Sequence, residues 1–273
     1  MINLLDENTI GFGIAGNFAN HLEQAGEGDD FVDVKVDEES APKGIFPTYS
    51  KNSKTFLNVF PFSGDSIANK NVNMQMEPEV GLYCSIKYKD NEIVDITPEY
   101  FMAYNDCSLR VKGADKISQK KNWGANSKGI SKTWLCVDQF EDGGLMDEYS
   151  LVSFIKRDEE LIQYGENSEL LGYSYFYTKL KDWIINKLNT QEDFGPLENI
   201  QELIKTNNKP KNCIISIGAT RYTEFGESNY LKIDDEIYVV LYNHNSYSQD
   251  DIEDMIENNE YSEDTSVLHQ KVI

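Results

Sequence analysis

Few cations, few cysteines and no long apolar run set the first limits on this chain. Lysine and arginine number 25 against 47 aspartates and glutamates, for a formal net charge of −22. Such a surface repels a phosphate backbone and an anionic bilayer alike, which argues against nucleic-acid and membrane partners. The four cysteines, Cys84, Cys107, Cys136 and Cys213, stand far apart with no CxxC spacing. Nothing at the N-terminus reads as a secretion signal, so reduced thiols and a cytoplasmic location are expected. Apolar runs are short pieces such as 237–242, far below the eighteen or more residues of a membrane span.

The apolar residues that are present suffice for a core. Of 273 residues, 40% are hydrophobic and 12% aromatic, which excludes global disorder. The acids are unevenly spread. Eight of them (Asp250, Asp251, Glu253, Asp254, Glu257, Glu260, Glu263 and Asp264) fall in fifteen residues without a lysine or arginine. That stretch reads as a solvated helix or disordered tail, and residues 248–273 are set apart as an acidic tail.

Gly11-Phe12-Gly13-Ile14-Ala15-Gly16 satisfies GxGxxG, with Asp37 about twenty residues on. A nicotinamide-dependent oxidoreductase is one reading of it. The fingerprint needs a buried strand before the glycines, yet Asp6-Glu7-Asn8-Thr9-Ile10 is polar and short. Residues 17–25 read as a short helix, with Asn17 as N-cap and Gly26 as its stop.

Later segments alternate in the manner of strands. Val80, Leu82, Cys84, Ile86 and Tyr88 share a face, a turn is expected at 89–91, and 92–96 returns. Further strands are expected at 150–156, 212–217 and 236–242. A helix is expected over 173–188, with Phe176, Leu180, Trp183, Ile184 and Leu188 on its core side. Pro98 suggests the opening of another short helix, through Tyr100 to Tyr104. Strands outnumber helices without βαβ order, which predicts a β-rich α+β fold.

Glu77-Pro78-Glu79 is the segment with chemical promise. The residue before proline is extended, and side chains two apart on a strand leave the same face. Two converging carboxylates suit Mg²⁺, Mn²⁺ or Ca²⁺; a pair of wet surface acids is the plainer alternative. Beyond it come Tyr104-Asn105-Asp106-Cys107-Ser108-Leu109-Arg110 and Trp123-Gly124-Ala125-Asn126-Ser127-Lys128. In that order these segments resemble the fumarylacetoacetate hydrolase family, which carries an ExE pair, an N-D-x-S-x-R-like segment and a W-x-x-x-K segment. Residues 13–21 are similar to its G-x-N-Y-x-x-H segment. Gly218-Ala219-Thr220, with Phe225-Gly226 and 230–235, is similar to its C-terminal run. The likeness spans about 11–243.

The resemblance implies a mixed β-sandwich roll with a small N-terminal lobe (1–70), a metal-binding core (71–247) and a homodimer. It implies Glu77, Glu79 and Asp106 as ligands of Mg²⁺ or Mn²⁺, and Lys128 as the stabiliser of an enolate. Arg110 and Thr220 would hold a small carboxylate substrate, although Arg110 could instead pair with an acid such as Asp115. The implied function is a metal-dependent hydrolase, decarboxylase or isomerase acting on a small β-dicarbonyl or 2-oxo acid. The alternative on the same fold is a non-catalytic, metal-dependent ligand binder. Three departures fall where substrate would sit. Phe46-Pro47-Thr48-Tyr49 lacks the family's lysine, no glutamine comes soon after Arg110, and Thr220 is displaced by one place. His21 matches the histidine of the family's His–Glu dyad. On a helix its i+3 neighbour is Gln24 while Glu23 points away, so a weaker assisting group is expected beside it.

Overall fold

The computed structural model of the protein describes residues 9–19 and 21–273. Asp6, Glu7, Asn8 and Asn20, on which part of the sequence reading draws, lie outside them.

Two large sheets carry the architecture. The first runs β2 (Gly44–Tyr49), β1 (Thr9–Ala15), β13 (Asn212–Ser216), β6 (Pro78–Lys89), β7 (Glu92–Asn105), β9 (Lys128–Ile130), β3 (Phe62–Ser63). A further strand, β10 (Leu135–Cys136), pairs with β7 at Phe101 and Tyr100. The second sheet runs β12 (Glu160–Glu169), β11 (Tyr149–Arg157), β14 (Glu236–Asn243), β15 (Ser266–Val272), β4 (Ser66–Ile67). A small pair, β5 (Met74–Gln75) and β8 (Ser108–Leu109), stands apart. Helices α1 (His21–Gln24), α2 (Ser118–Lys121), α3 (Tyr177–Thr190), α4 (Ile200–Thr206), α5 (Glu224–Ser228) and α6 (Gln249–Asn258) complete the described elements. None is long and apolar enough to cross a membrane. The fold is a sheet-rich α+β fold with mixed strand directions, since β1 runs parallel to β13 and antiparallel to β2.

Alternation along β6 explains the core. Val80, Leu82, Cys84 and Ile86 join Leu151 and Ile155 of β11, Val239 and Leu241 of β14, and Leu268 of β15 in one buried cluster. On its other face Tyr83 meets Met102, Tyr104, Ile130 and Ile214. Strands buried on both faces read as nearly continuous apolar runs, as β13 does. Helix α3 adds Leu180, Trp183, Ile184 and Leu188, the positions its 3.6-residue period selects.

Several expectations need correction. The stretch after Pro98 is no helix but the second half of β7. Proline is tolerated there because the register shifts between Tyr83 and Cys84, so Pro98 sits at a bulge. GxGxxG does not make a phosphate-binding turn, since Gly11 and Gly13 lie within β1. A Cβ at Gly11 would approach Thr48 Oγ1 to 2.5 Å, so glycine there admits the neighbouring strand. Asn17 is not a cap. Its buried amide donates to Tyr175 O (3.0 Å) and Ile217 O (2.8 Å) and accepts from Tyr175 N–H (2.9 Å), tying three segments together. Of the two readings of the acidic stretch, the solvated helix holds and the disordered tail does not. Ser248 and Asp251 form a capping box on α6, and β15 pairs along β14. Its acids face solvent while Ile252, Ile256, Leu268 and Val272 face inward. At the other end, β1 and β2 belong to the same sheet as β6 and β7.

A candidate metal centre of three buried acids

The β6–β7 hairpin brings the acids together. Asp90 and Asn91 turn with positive φ (50° and 77°), the two-residue geometry that suits the twist of paired strands. From that turn the ladder runs to Glu79 opposite Tyr104 and Pro78 opposite Asn105. Glu77 and Asp106 therefore meet at the open end, where Asp106 N–H donates to Glu77 O (3.0 Å). Asn105 braces this end: its Oδ1 accepts from Glu77 N–H (3.1 Å) and its Nδ2 donates to Gln270 Oε1 (3.1 Å). One carboxylate oxygen from each of Glu77, Glu79 and Asp106 lies within 4.8 Å of the others, and all three residues are buried.

Cations surround two of the three. Lys121, at the end of α2, pairs with Glu77 Oε2 and with Asp106 Oδ2 (2.8 Å). Lys128, placed by β9, pairs with Asp106 Oδ1 (3.0 Å) and donates to Cys107 O (2.7 Å). Arg110 pairs with Glu77 Oε1 and with Glu27 Oε1, both at 2.8 Å. Glu79 differs. Among the described residues no cation pairs with it, and its Oε2 accepts from Gly218 N–H (2.8 Å). Gly218 has φ 113°, a backbone conformation that favours glycine.

Environment sets the protonation of each group. Burial opposes charge on Glu77, but Lys121 and Arg110 overcome it and hold the carboxyl well below its usual range. Burial, then the neighbouring Asp106, pushes Glu79 well above its usual range. Lys121 is desolvated too, yet Asp106 and Glu77 raise its pKa. Burial lowers that of Lys128 despite Asp106. Opposite shifts in two acids so close along one strand arise from which of them has a cation.

His21 is buried beside this cluster, 5.1 Å from the Tyr222 ring centroid, with no hydrogen bond to Nδ1. Burial lowers its pKa to about 4, and the charges of Arg110 and Lys121 act in the same direction. The expectation that Gln24 assists it fails. The Gln24 amide is engaged by the Tyr222 backbone, donating to its O (3.2 Å) and accepting from its N–H (3.0 Å). Glu23 is exposed. Two buried carboxylates, Glu77 and Glu27, line the same cavity as His21, and Glu77 acts on its charge the more strongly. That cavity measures ≈ 10 Å³, room for about one water or one ion.

The remaining site residues fall close by. Arg110 does not pair with Asp115; besides the two glutamates it donates to Gln75 Oε1 (2.6 Å) and Tyr222 OH (3.0 Å). Thr220 is buried with its Oγ1 unpartnered and its N–H on Pro78 O (3.2 Å), while Ala219 lines the cavity. Sequence reasoning missed Lys121 and Glu27. The available signal was the Lys120-Lys121 pair, ahead of Trp123 in a cation-poor chain.

The donor set fits a hard divalent cation: three carboxylates, converging and buried, with Glu79 lacking any charge partner among the described residues.

Solved structures of low identity share this fold. A protein assigned as HpcE from Mycobacterium smegmatis matches with a TM-score of 0.53 and 14% identity, over 97% of this chain and 74% of that one. A protein assigned as a fumarylacetoacetate isomerase/hydrolase from Oleispira antarctica matches at 0.51 and 10%, over 97% and 93%. The apo form of 2-keto-3-deoxy-D-arabinonate dehydratase matches at 0.50 and 13%, over 96% and 72%. At such identities the likeness establishes the fold alone. It agrees with the β-rich α+β fold expected from the sequence. No curated protein matches the sequence. Residues 27–272 match a family model described as "Family of unknown function (DUF5718)", and the chain belongs to that family.

Proposed function

We propose that this protein is a divalent-metal-dependent enzyme that acts on a small 2-oxo or β-dicarbonyl acid by way of an enolate. The observation that carries this reading is the convergence of Glu77, Glu79 and Asp106 within 4.8 Å in a buried pocket, with the Lys128 ammonium on Asp106. The dehydratase and isomerase/hydrolase assignments of the fold neighbours agree with that class of substrate.

Glu77, Glu79 and Asp106 would hold Mg²⁺ or Mn²⁺. A bound divalent cation supplies Lewis-acid polarisation of a carbonyl oxygen. Lys128 is a fixed, buried donor; aimed at a developing negative oxygen, it helps the transition state more than the ground state. His21 is neutral near pH 7, so one ring nitrogen is free to accept a hydrogen bond and orient a water. Thr220, whose buried Oγ1 has no partner, is assigned to the substrate's carboxylate end, while Arg110 supports the site through Glu77 and Glu27; a homodimer in the cytoplasm completes the reading.

Melting curves with and without Mg²⁺ or Mn²⁺ test it first. A metal that binds only the folded state raises Tm by mass action. The rise should vanish in Glu79→Ala, and an equal rise in the triad variants would end the metal assignment. A turnover screen of 2-oxo and β-dicarbonyl acids comes second, in which Lys128→Ala should lose kcat and retain metal.

A non-catalytic, metal-dependent binder is the second reading. The departures at 46–49, after Arg110 and at Thr220, all where substrate would sit, favour it. Metal-dependent binding of such acids without any turnover would select it.

A further inference from the structure

The oxygens a metal would need are already taken. Arg110 holds Glu77 Oε1, Lys128 holds Asp106 Oδ1, and Lys121 holds the remaining oxygen of each. Lys121 is thus the cation shared between two of the three candidate ligands. Withdrawing it alone would free one oxygen on Glu77 and one on Asp106, beside a Glu79 that no described cation pairs. Arg110 and Lys128 would stay where they are.

Lys121 also has another contact in the same cavity. Its Nζ lies 5.5 Å from the centroid of the Phe46 ring, and Phe46 lines the cavity wall. A cation over an aromatic face is attracted to it by the ring's quadrupole. The ammonium can therefore leave the carboxylates without leaving all its stabilisation behind. Its side chain carries four flexible carbons, so an ångström-scale withdrawal does not require α2 to unfold.

We propose that Lys121 is a resident counter-ion of the acid triad, which a divalent cation must displace to bind. The inference rests on the metal reading and adds to it an internal competitor. Two buried carboxylates without a cation repel each other and are costly to desolvate, which gives the metal-free protein a reason to keep one. An ammonium carries a single charge and binds two of the acids; a divalent ion carries two charges and can engage three. Metal therefore wins the exchange, at an apparent affinity lowered by the strength of the Lys121 pairs.

Mn²⁺ titrations of the wild type, Lys121→Met and Lys121→Arg, read by calorimetry and by Tm, test this directly. The expected result is binding tenfold tighter or more in Lys121→Met, with Lys121→Arg no tighter than wild type. Binding in Lys121→Met that is unchanged or weaker overturns the displacement while leaving the metal reading intact. No binding in either wild type or Lys121→Met overturns both. Because Lys121→Met could fail to fold, the wild type supplies a second measurement. Its crystal structure with Mn²⁺ bound should show the Lys121 ammonium moved off Glu77 and Asp106. An ion on the triad with Lys121 still paired to both acids overturns the proposal.

Discussion

The protein concentrates carboxylates in two places and does opposite things with them. On α6 and the turn after it, acids such as Asp250, Asp254, Glu257 and Glu260 lie on the solvent side, and the helix is held from below by Ile252 and Ile256 against Phe154, Tyr238 and Val240. Its first-turn acids lie where the helix dipole favours negative charge. In the buried site, Glu77, Glu79 and Asp106 have no such access to water; Lys121, Lys128 and Arg110 pair with Glu77 and Asp106 and leave Glu79 without a cation. Most of the visible acidity of the sequence is solvated and inexpensive. The three acids that matter chemically are among the least conspicuous. Burial and convergence, rather than local charge density, separate the two.

The sharpest way to break this comparison is to remove charge from each region in turn. Asp106→Asn should cost about 3–5 kcal/mol in chemical denaturation, since it strips the shared anion from two buried lysines. Glu79→Gln should do the reverse in metal-free protein. Its raised pKa marks an ionisation that folding opposes, so the amide should raise stability by about 1–3 kcal/mol while abolishing the metal-induced rise. If both substitutions destabilise alike, the cations do not distinguish the two acids.

A smaller effect is expected from acid. His21 is held at a pKa of about 4 in the folded state against 6.5 in the unfolded chain. Between those values the unfolded chain binds more protons, so stability falls as pH drops from about 6.5 to 4 and levels off below. The shift corresponds to about 3 kcal/mol at most. Urea midpoints of wild type and His21→Asn should therefore converge as pH falls through that window. Parallel curves would show that His21 is not kept neutral by the fold.

On α6 the expected changes are smallest. Ser248→Ala removes the capping box and should cost about 1 kcal/mol. Glu257→Gln, on the exposed face, should stay within about 0.5 kcal/mol of wild type by thermal melting. A larger loss from Glu257→Gln than from Ser248→Ala would overturn the description of this face as solvated.

Much of the triad was legible because its parts are local. Glu77 and Glu79 are two apart along one extended segment, and a hairpin with a plain turn at Asp90-Asn91 carries Asp106 back to them. Strands with period-two alternation, such as β6 and β14, were equally readable. The failures have one cause: a long-range contact overrides a local signal. Pro98 reads as a helix start until the bulge opposite Cys84 accommodates it. Asn17 reads as a cap until Tyr175 and Ile217 claim its amide. Lys121 and Glu27 carry no local signal of their place until α2 sets the one on Glu77 and Arg110 pairs with the other. The charge of 250–264 hid β15, whose inward residues alternate only over 266–272.

The placement of β13 has a consequence for how the protein is made. One edge of β6 is covered at once by β7, but its other edge waits for β13, more than 120 residues further along the chain. Ribosomes add about 5–20 residues per second, so that edge stays open for on the order of ten seconds during synthesis. An uncovered strand edge with apolar faces is a template for pairing with another chain. Gly218, which holds Glu79, lies directly behind β13 and emerges with it. The hairpin can bring the three acids together early, but the anchor of Glu79 on Gly218 is made only when the late strand closes over it, and a nascent chain stalled before Asn212 presents β6 to its neighbours.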